Sequence, residues 1–228
     1  MKKDQSVIAC LPSPADAATV LPYARECAKR LGKALILLNV SANGQSEWLK
    51  DYGLPYIGLK GDWKTAIEGL PAAVGGVLVV TPLDPAAPRS SIARPSTLLR
   101  TFAECKTAYI ALGTGAAQRG FGNVALSIDH RRESKEKLIW GSYLVRFFGS
   151  RLTGACPDYR DEGLRHHQTD NLRFLDKMYS SLGITYSKAA TPYSAFTTAD
   201  MAALETLKPD MLIALATDRR DRDLLDRL

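Results

Sequence analysis

The sequence predicts an α/β protein made of two parallel-sheet units in tandem, related by a pseudo-twofold arrangement. Three observations predict it. First, the chain aligns on itself without gaps when Val7-Ile8-Ala9-Cys10-Leu11 is laid on Val124-Ala125-Leu126-Ser127-Ile128, an offset of 117 residues. Second, both stretches read as a short apolar strand, a helix with apolar positions three and four apart, a glycine, and another apolar strand. Third, 228 residues fit one large domain or two small ones, and 46% apolar with 24% charged content is ordinary globular usage rather than that of a disordered chain.

The alignment continues through the helix. Leu21 falls on Leu138, Ala28 on Val145, Leu31 on Phe148, Gly32 on Gly149 and Leu35 on Leu152. Gly32 and Gly149 stand where a helix C-terminus wants a left-handed residue, which glycine adopts without a Cβ clash. Strand, helix and strand in this order imply parallel strands joined by a right-handed crossover.

Later elements follow at a different spacing. Val77-Leu78-Val79-Val80 matches Leu212-Ile213-Ala214-Leu215, an offset of 135, so the second unit carries 18 more residues before this strand. That surplus reads as a helix over Asn171–Tyr179 ending at Gly183, and the first unit is expected to have lost or shortened its counterpart. In the first unit, Tyr56–Leu59 reads as a strand, Asp62–Val74 as a helix, Ser96–Cys105 as a helix capped by Ser96, and Ala108–Leu112 as a fifth strand. In the second, Ile184–Ser187 reads as a third strand, Thr198–Leu207 as a helix capped by Thr197 or Thr198, and Met211–Leu215 as a fourth strand. The domains predicted are residues 1–113, a linker at 114–122, and residues 123–228. The second unit is expected to lack its last strand.

Charge and cysteine usage narrow the function classes. The net charge of +6 comes from 30 basic and 24 acidic residues scattered along the chain, so no basic stripe suited to nucleic acid is expected. Arg219, Arg220, Arg222 and Arg227 cluster, but Asp218, Asp221, Asp223 and Asp226 interrupt them. No apolar run is long enough to span a membrane. Cys10, Cys27, Cys105 and Cys156 form no CxxC pair, and with no signal-like leader before the first strand the expected location is the cytoplasm.

Arg25–Val40 resembles the first helix and second strand of the universal stress protein family. Ile128-Asp129 followed by Glu133-Ser134-Lys135 is similar to that family's first-strand signature, in which an aspartate closes the strand and a serine opens the helix. The resemblance covers almost the whole chain and implies Rossmann-like, adenine nucleotide alpha hydrolase-like units. It also implies ATP or AMP as the ligand to consider. Binding members of the family carry a glycine-rich stretch after the fourth strand, roughly G-x-x-G, nine residues, then G-S/T, because backbone N–H groups must approach the phosphates closely. Here the first unit reads Thr81–Arg89 with three prolines and no glycine, and the second reads Ala216–Arg220 with no glycine and an acidic Asp218. The aspartate that the resemblance implies as a nucleotide contact stands as Asp129 in the second unit and is replaced by Pro12 in the first.

The candidate ligand-binding residues are therefore Asp129, His130, Arg131 and Thr217 at the second-unit strand ends, and Ser90 with Arg94 in the long first-unit loop. No metal site is expected, since the adjacent His166-His167 point to different faces of a helix. Neither Ser13 nor Ser134 sits in a nucleophile elbow, so no catalytic set is expected. Three readings follow: a non-enzymatic stress-type protein acting by self-association, a protein partner or small-ligand sensing; a nucleotide-binding protein using the cleft near Asp129; and a hydrolase or transferase on a similar sheet.

Overall fold

The computed structural model describes residues 5–103, 105, 107–113, 120–192 and 207–214. The chain divides into two compact units between residues 118 and 119.

The first unit opens with β1 (Ser6–Cys10), every residue of which is buried. A strand buried on both faces reads as a continuous apolar run, as β1 does. A single 3₁₀ turn at Pro14–Asp16 leads into α1 (Ala17–Leu31), which Gly32 ends at φ 63°. Next come β2 (Ala34–Ser41), a 3₁₀ segment Glu47–Tyr52, β3 (Tyr56–Lys60), α2 (Trp63–Ala73), β4 (Gly76–Pro82), α3 (Pro95–Phe102) and β5 (Ala108–Leu112). The strands form one parallel sheet in the order β3-β2-β1-β4-β5. Asp62 caps α2, its Oδ1 accepting from the Thr65 amide at 3.0 Å.

The second unit repeats the opening at the same offset. β6 (Asn123–Ser127), α4 (Ser134–Phe148) and β7 (Arg151–Asp158) begin and end 117 residues after β1, α1 and β2, with Gly149 at φ 70° after α4. α5 (Glu162–Ser181), β8 (Ser187–Pro192) and β9 (Met211–Ile213) follow, and the parallel sheet runs β8-β7-β6-β9. Its core joins Val124, Leu126, Ile128, Leu138, Leu152, Leu175, Tyr179 and Ile184. Between β2 and β3 the first unit has only the 3₁₀ segment Glu47–Tyr52.

Three expectations need correction. α5 spans Glu162–Ser181 rather than Asn171–Tyr179, because Asp161 caps it, Oδ1 accepting from the Leu164 amide at 2.8 Å, and its first half is too polar to show an apolar period. The third strand of the second unit is Ser187–Pro192, not Ile184–Ser187. After Gly183 the Ile184 amide still bonds the Tyr179 carbonyl, at 2.9 Å, and its side chain fills the core, so pairing with β7 begins only at Ser187. Ser96 does not cap α3: Pro95 takes the first helical position, where its missing N–H costs nothing, and Arg94 is the cap residue. The predicted helix Thr198–Leu207, its cap residues Thr197 and Thr198, and everything after residue 214 lie outside the described residues.

Cys10, Cys27, Cys105 and Cys156 are all free thiols. Burial pushes the Cys27 thiol up to about 12, with Glu26 adding to the effect. It raises Cys10 further still. Among the described residues no helix is long and apolar enough to cross a membrane.

Candidate functional site

The turn between β6 and α4 lies at the C-terminal end of the central pair of strands, where open α/β sheets receive ligands. β6 ends at Ser127, and the Ile128 amide still donates to the Ala155 carbonyl of β7 at 2.8 Å. Asp129 comes next and is buried, at 4% exposure. Its short side chain folds back on its own backbone: Oδ1 accepts from the Arg131 amide at 2.9 Å, an Asx-type turn that starts the reversal into α4.

Three side chains complete the shell of that carboxylate. Ser134 Oγ, on the first residue of α4, donates to Oδ1 at 2.5 Å. The Arg131 guanidinium donates to Oδ2. Lys137, one turn into α4 with a side chain 0% exposed, brings Nζ to 3.3 Å from Oδ2 and 2.7 Å from Ser127 Oγ. Burial pushes the Asp129 carboxyl up, but the Arg131, Lys137 and Ser134 contacts outweigh it and hold the group well below the usual carboxylate range. The carboxylate is needed for the opposite reason as well: a lysine enclosed near a helix N-terminus is disfavoured by desolvation and by the helix dipole unless an anion sits beside it.

α5 fastens the outside of the turn. Gln168 Nε2 donates to the Ile128 and Pro157 carbonyls, both at 2.9 Å, tying the ends of β6 and β7 together. Asn171 Nδ2 donates to the Asp129 and Arg131 carbonyls, both at 2.8 Å. Both side chains are buried, and each bonds two backbone carbonyls. Half-buried His130 shares a 3.0 Å hydrogen bond, through Nδ1, with the hydroxyl of buried Tyr159.

The predicted site residues thus divide. Asp129 and Arg131 meet in one ion pair, with His130 beside them on the same turn. Thr217 lies outside the described residues. Ser90 and Arg94 belong to the first unit, where Arg94 Nη1 donates to the Ala87 carbonyl at 2.8 Å and so holds its own loop. That loop is closed by Asp84 N to Ala93 O at 2.8 Å and Thr97 Oγ1 to Arg89 O at 2.6 Å, with Ala87, Ile92 and Ala93 buried beneath it and Ser90 exposed. Sequence reasoning missed Lys137, Gln168 and Asn171. A signal existed for Lys137, which falls on Val20 in the tandem alignment, a position that faces the core. Among the described residues, no three His, Cys, Asp or Glu side chains gather as metal ligands.

Two features that the family resemblance implies for a nucleotide are otherwise engaged or replaced among the described residues. The one carboxylate in the expected place is already bonded to Ser134, Arg131 and Lys137. The loop after β4 offers Pro82, Pro85 and Pro88 where close backbone approach to phosphates needs glycine.

No family model and no curated protein matches the chain. Solved structures do. A universal stress protein from Archaeoglobus fulgidus DSM 4304 superposes with a TM-score of 0.69 at 12% identity, over 99% of this chain and 94% of that one. A candidate universal stress protein from Pseudomonas aeruginosa UCBPP-PA14 gives 0.66 at 14% identity, over 98% and 90%. A protein of unknown function from Pseudomonas aeruginosa PAO1 gives 0.65 at 14% identity, over 98% and 89%. The chain therefore has the universal stress protein fold, and the resemblance read from Arg25–Val40 and from Ile128-Asp129 holds at the level of that fold.

Proposed function

We propose that the protein acts by association through its surfaces, without catalysis and without family-type ATP binding. The observation that carries this reading is the internal saturation of Asp129. The Arg131 amide and three side-chain donors from its own turn and helix occupy its oxygens, so a nucleotide hydroxyl or amine would have to displace Ser134, Arg131 or Lys137 and leave a buried charge unmatched. The first unit supports the same reading, with Pro12 in place of the aspartate and a proline-rich loop packed shut over Ile92. In this reading the protein works in the cytoplasm, where its buried thiols stay reduced. Small-ligand sensing is the second reading, favoured by half-buried His130 and its hydrogen bond to Tyr159 at the second-unit strand ends.

A thermal-shift titration with ATP, ADP and AMP, each with and without magnesium, tests the proposal. A ligand that binds the folded state raises the melting temperature according to RT ln(1 + [L]/Kd). The expected result is no shift at millimolar nucleotide. A saturable rise that is lost in Asp129→Ala would overturn it in favour of a nucleotide site in the second unit.

A further inference from the structure

Of the four asparagines in the chain, Asn39 and Asn123 precede valines, Asn171 precedes a leucine, and Asn43 alone precedes a glycine. Asn43 is exposed, in the turn between β2 and the 3₁₀ segment of the first unit, and Gly44 takes φ 73°. The Asn43 side chain is oriented by its neighbours. Oδ1 accepts from Ser41 Oγ and from the Gln45 amide, both at 3.1 Å, and Nδ2 donates to Gln45 Oε1 at 2.8 Å. The Gly44 amide donates to the Ser41 carbonyl at 3.2 Å, and that carbonyl also accepts from the Gly61 amide at 3.3 Å. Both bonds are long for an amide and a carbonyl, so the Gly44 N–H is held weakly.

We propose that Asn43-Gly44 is a self-modification site, at which the turn converts its own side-chain amide to a carboxylate. The Gly44 nitrogen attacks Asn43 Cγ, and an N–Cγ bond forms. The Gly44 proton passes through solvent water to Nδ2 as the Cγ–Nδ2 bond breaks, and ammonia leaves. Water then opens the cyclic imide at either carbonyl, which leaves aspartate or isoaspartate at position 43. The next residue has to be glycine because a Cβ there would crowd the attacking nitrogen. The fold adds its own share at Oδ1, where negative charge gathers during the attack. Ser41 Oγ and the Gln45 amide already stand at hydrogen-bond distance from that oxygen, as the donors of an oxyanion hole do.

The product reaches the core of the first unit. Buried Ser46 donates to Asn39 Oδ1 at 3.1 Å, and Asn39 in turn holds the Leu11 and Pro12 carbonyls. Ser46 is wedged against β3, where a Cβ on Gly58 would stand 2.3 Å from its Oγ. Isoaspartate adds a methylene to the main chain three residues before Ser46 and draws its hydroxyl away from Asn39. The modification is an ageing mark that lowers the stability of the first unit.

Incubation of the folded full chain at neutral pH for days, followed by tryptic digestion and fragmentation mass spectrometry of residues 34–50, tests it. Asn39 lies in the same fragment and serves as the internal reference. The wild type is expected to gain aspartate and isoaspartate at position 43 and to keep the amide at position 39. Ser41→Ala removes one Oδ1 donor and is expected to slow the reaction several-fold in the folded chain, with no change of rate in urea. The isoaspartate fraction, separated by ion exchange, is expected to melt below the fresh protein. An Asn43 that stays an amide, a folded Ser41→Ala variant that reacts as fast as the wild type, or an isoaspartate form that melts like the fresh protein would each overturn the proposal.

Discussion

At positions 117 residues apart, the two units close the same strand-to-helix turn by different means. In the first unit Pro12 fixes the backbone after β1, Val20 fills the core position on α1, and no charge is buried in the turn. Asn39, on β2 and 2% exposed, donates to the Leu11 and Pro12 carbonyls at 2.7 and 3.3 Å, and its own oxygen accepts from Ser46 at 3.1 Å. In the second unit Asp129 and Lys137 take the places of Pro12 and Val20, and the carbonyl-binding task moves from the strand to Gln168 and Asn171 on α5. The length of the following segment explains the move. Where the first unit has a six-residue 3₁₀ segment, the second has a twenty-residue helix able to reach over the turn. An aspartate in the position of a nucleotide contact can thus be retained as the counter-ion of a neighbouring lysine.

The largest expected effect breaks that ion pair. Asp129→Ala leaves Lys137 and Arg131 without their shared carboxylate, and removal of one partner of a buried pair costs about 3–5 kcal/mol. Urea unfolding should show the second unit losing that much stability, while Lys137→Met should lose less, because Asp129 keeps Arg131 and Ser134. Equal losses would contradict the assignment of Asp129 as the hub. Next come the carbonyl clamps. Asn39→Ala in the first unit and Gln168→Ala in the second each take the side-chain donor from two backbone carbonyls at the strand ends, and each should cost about 1–3 kcal/mol. A cost confined to one unit would show that the two clamps are not equivalent.

A third experiment uses pH. The folded Asp129 carboxyl titrates below its unfolded counterpart, so its contribution is fully present above the unfolded value and is lost as pH falls through the folded one. Second-unit stability should therefore fall as the solution is acidified below about pH 4, near the ordinary aspartate value. Asp129→Asn should flatten that limb, and an unchanged acid limb in the variant would refute the linkage.

Gly141→Ala probes the helix beside the cluster. Ala24 occupies the equivalent position in α1, yet a Cβ on Gly141 would stand 2.6 Å from the Tyr179 hydroxyl, which donates to the Leu138 carbonyl at 2.8 Å. The gain in helix propensity of about 1 kcal/mol should be outweighed by repacking of about 1–3 kcal/mol, giving a net loss on thermal melting. The smallest effect is expected from Glu26→Ala, which removes an exposed pair with Arg30 and should change stability by less than about 0.5 kcal/mol.

Much of the scaffold was legible in the sequence because it is written in apolar periodicity and glycine placement. The offset of 117 marks the bounds of β1, α1 and β2 in their second copy, and Gly32 and Gly149 mark the helix ends. Less of α5 was legible: its inward face carries Gln168 and Asn171 in the same row as Leu175 and Tyr179, so half of a buried face reads as polar. Asp129 was visible as a residue, but its role was not, because that depends on Lys137, which a linear reading places on a helix surface and the fold places in the core. The self-closed loop over Ile92 was hidden for a similar reason. Arg94 reads as a cation offered to an anion until its bond to the Ala87 carbonyl is seen.

The central claim is that Asp129 is a structural counter-ion and not a ligand contact. The most direct test is to melt wild type and Asp129→Ala with and without millimolar magnesium ATP. The account predicts that the variant melts well below the wild type and that the difference is the same in both conditions. A variant that melts like the wild type without ATP, and separates from it only when ATP is added, would contradict the account and make Asp129 a nucleotide ligand.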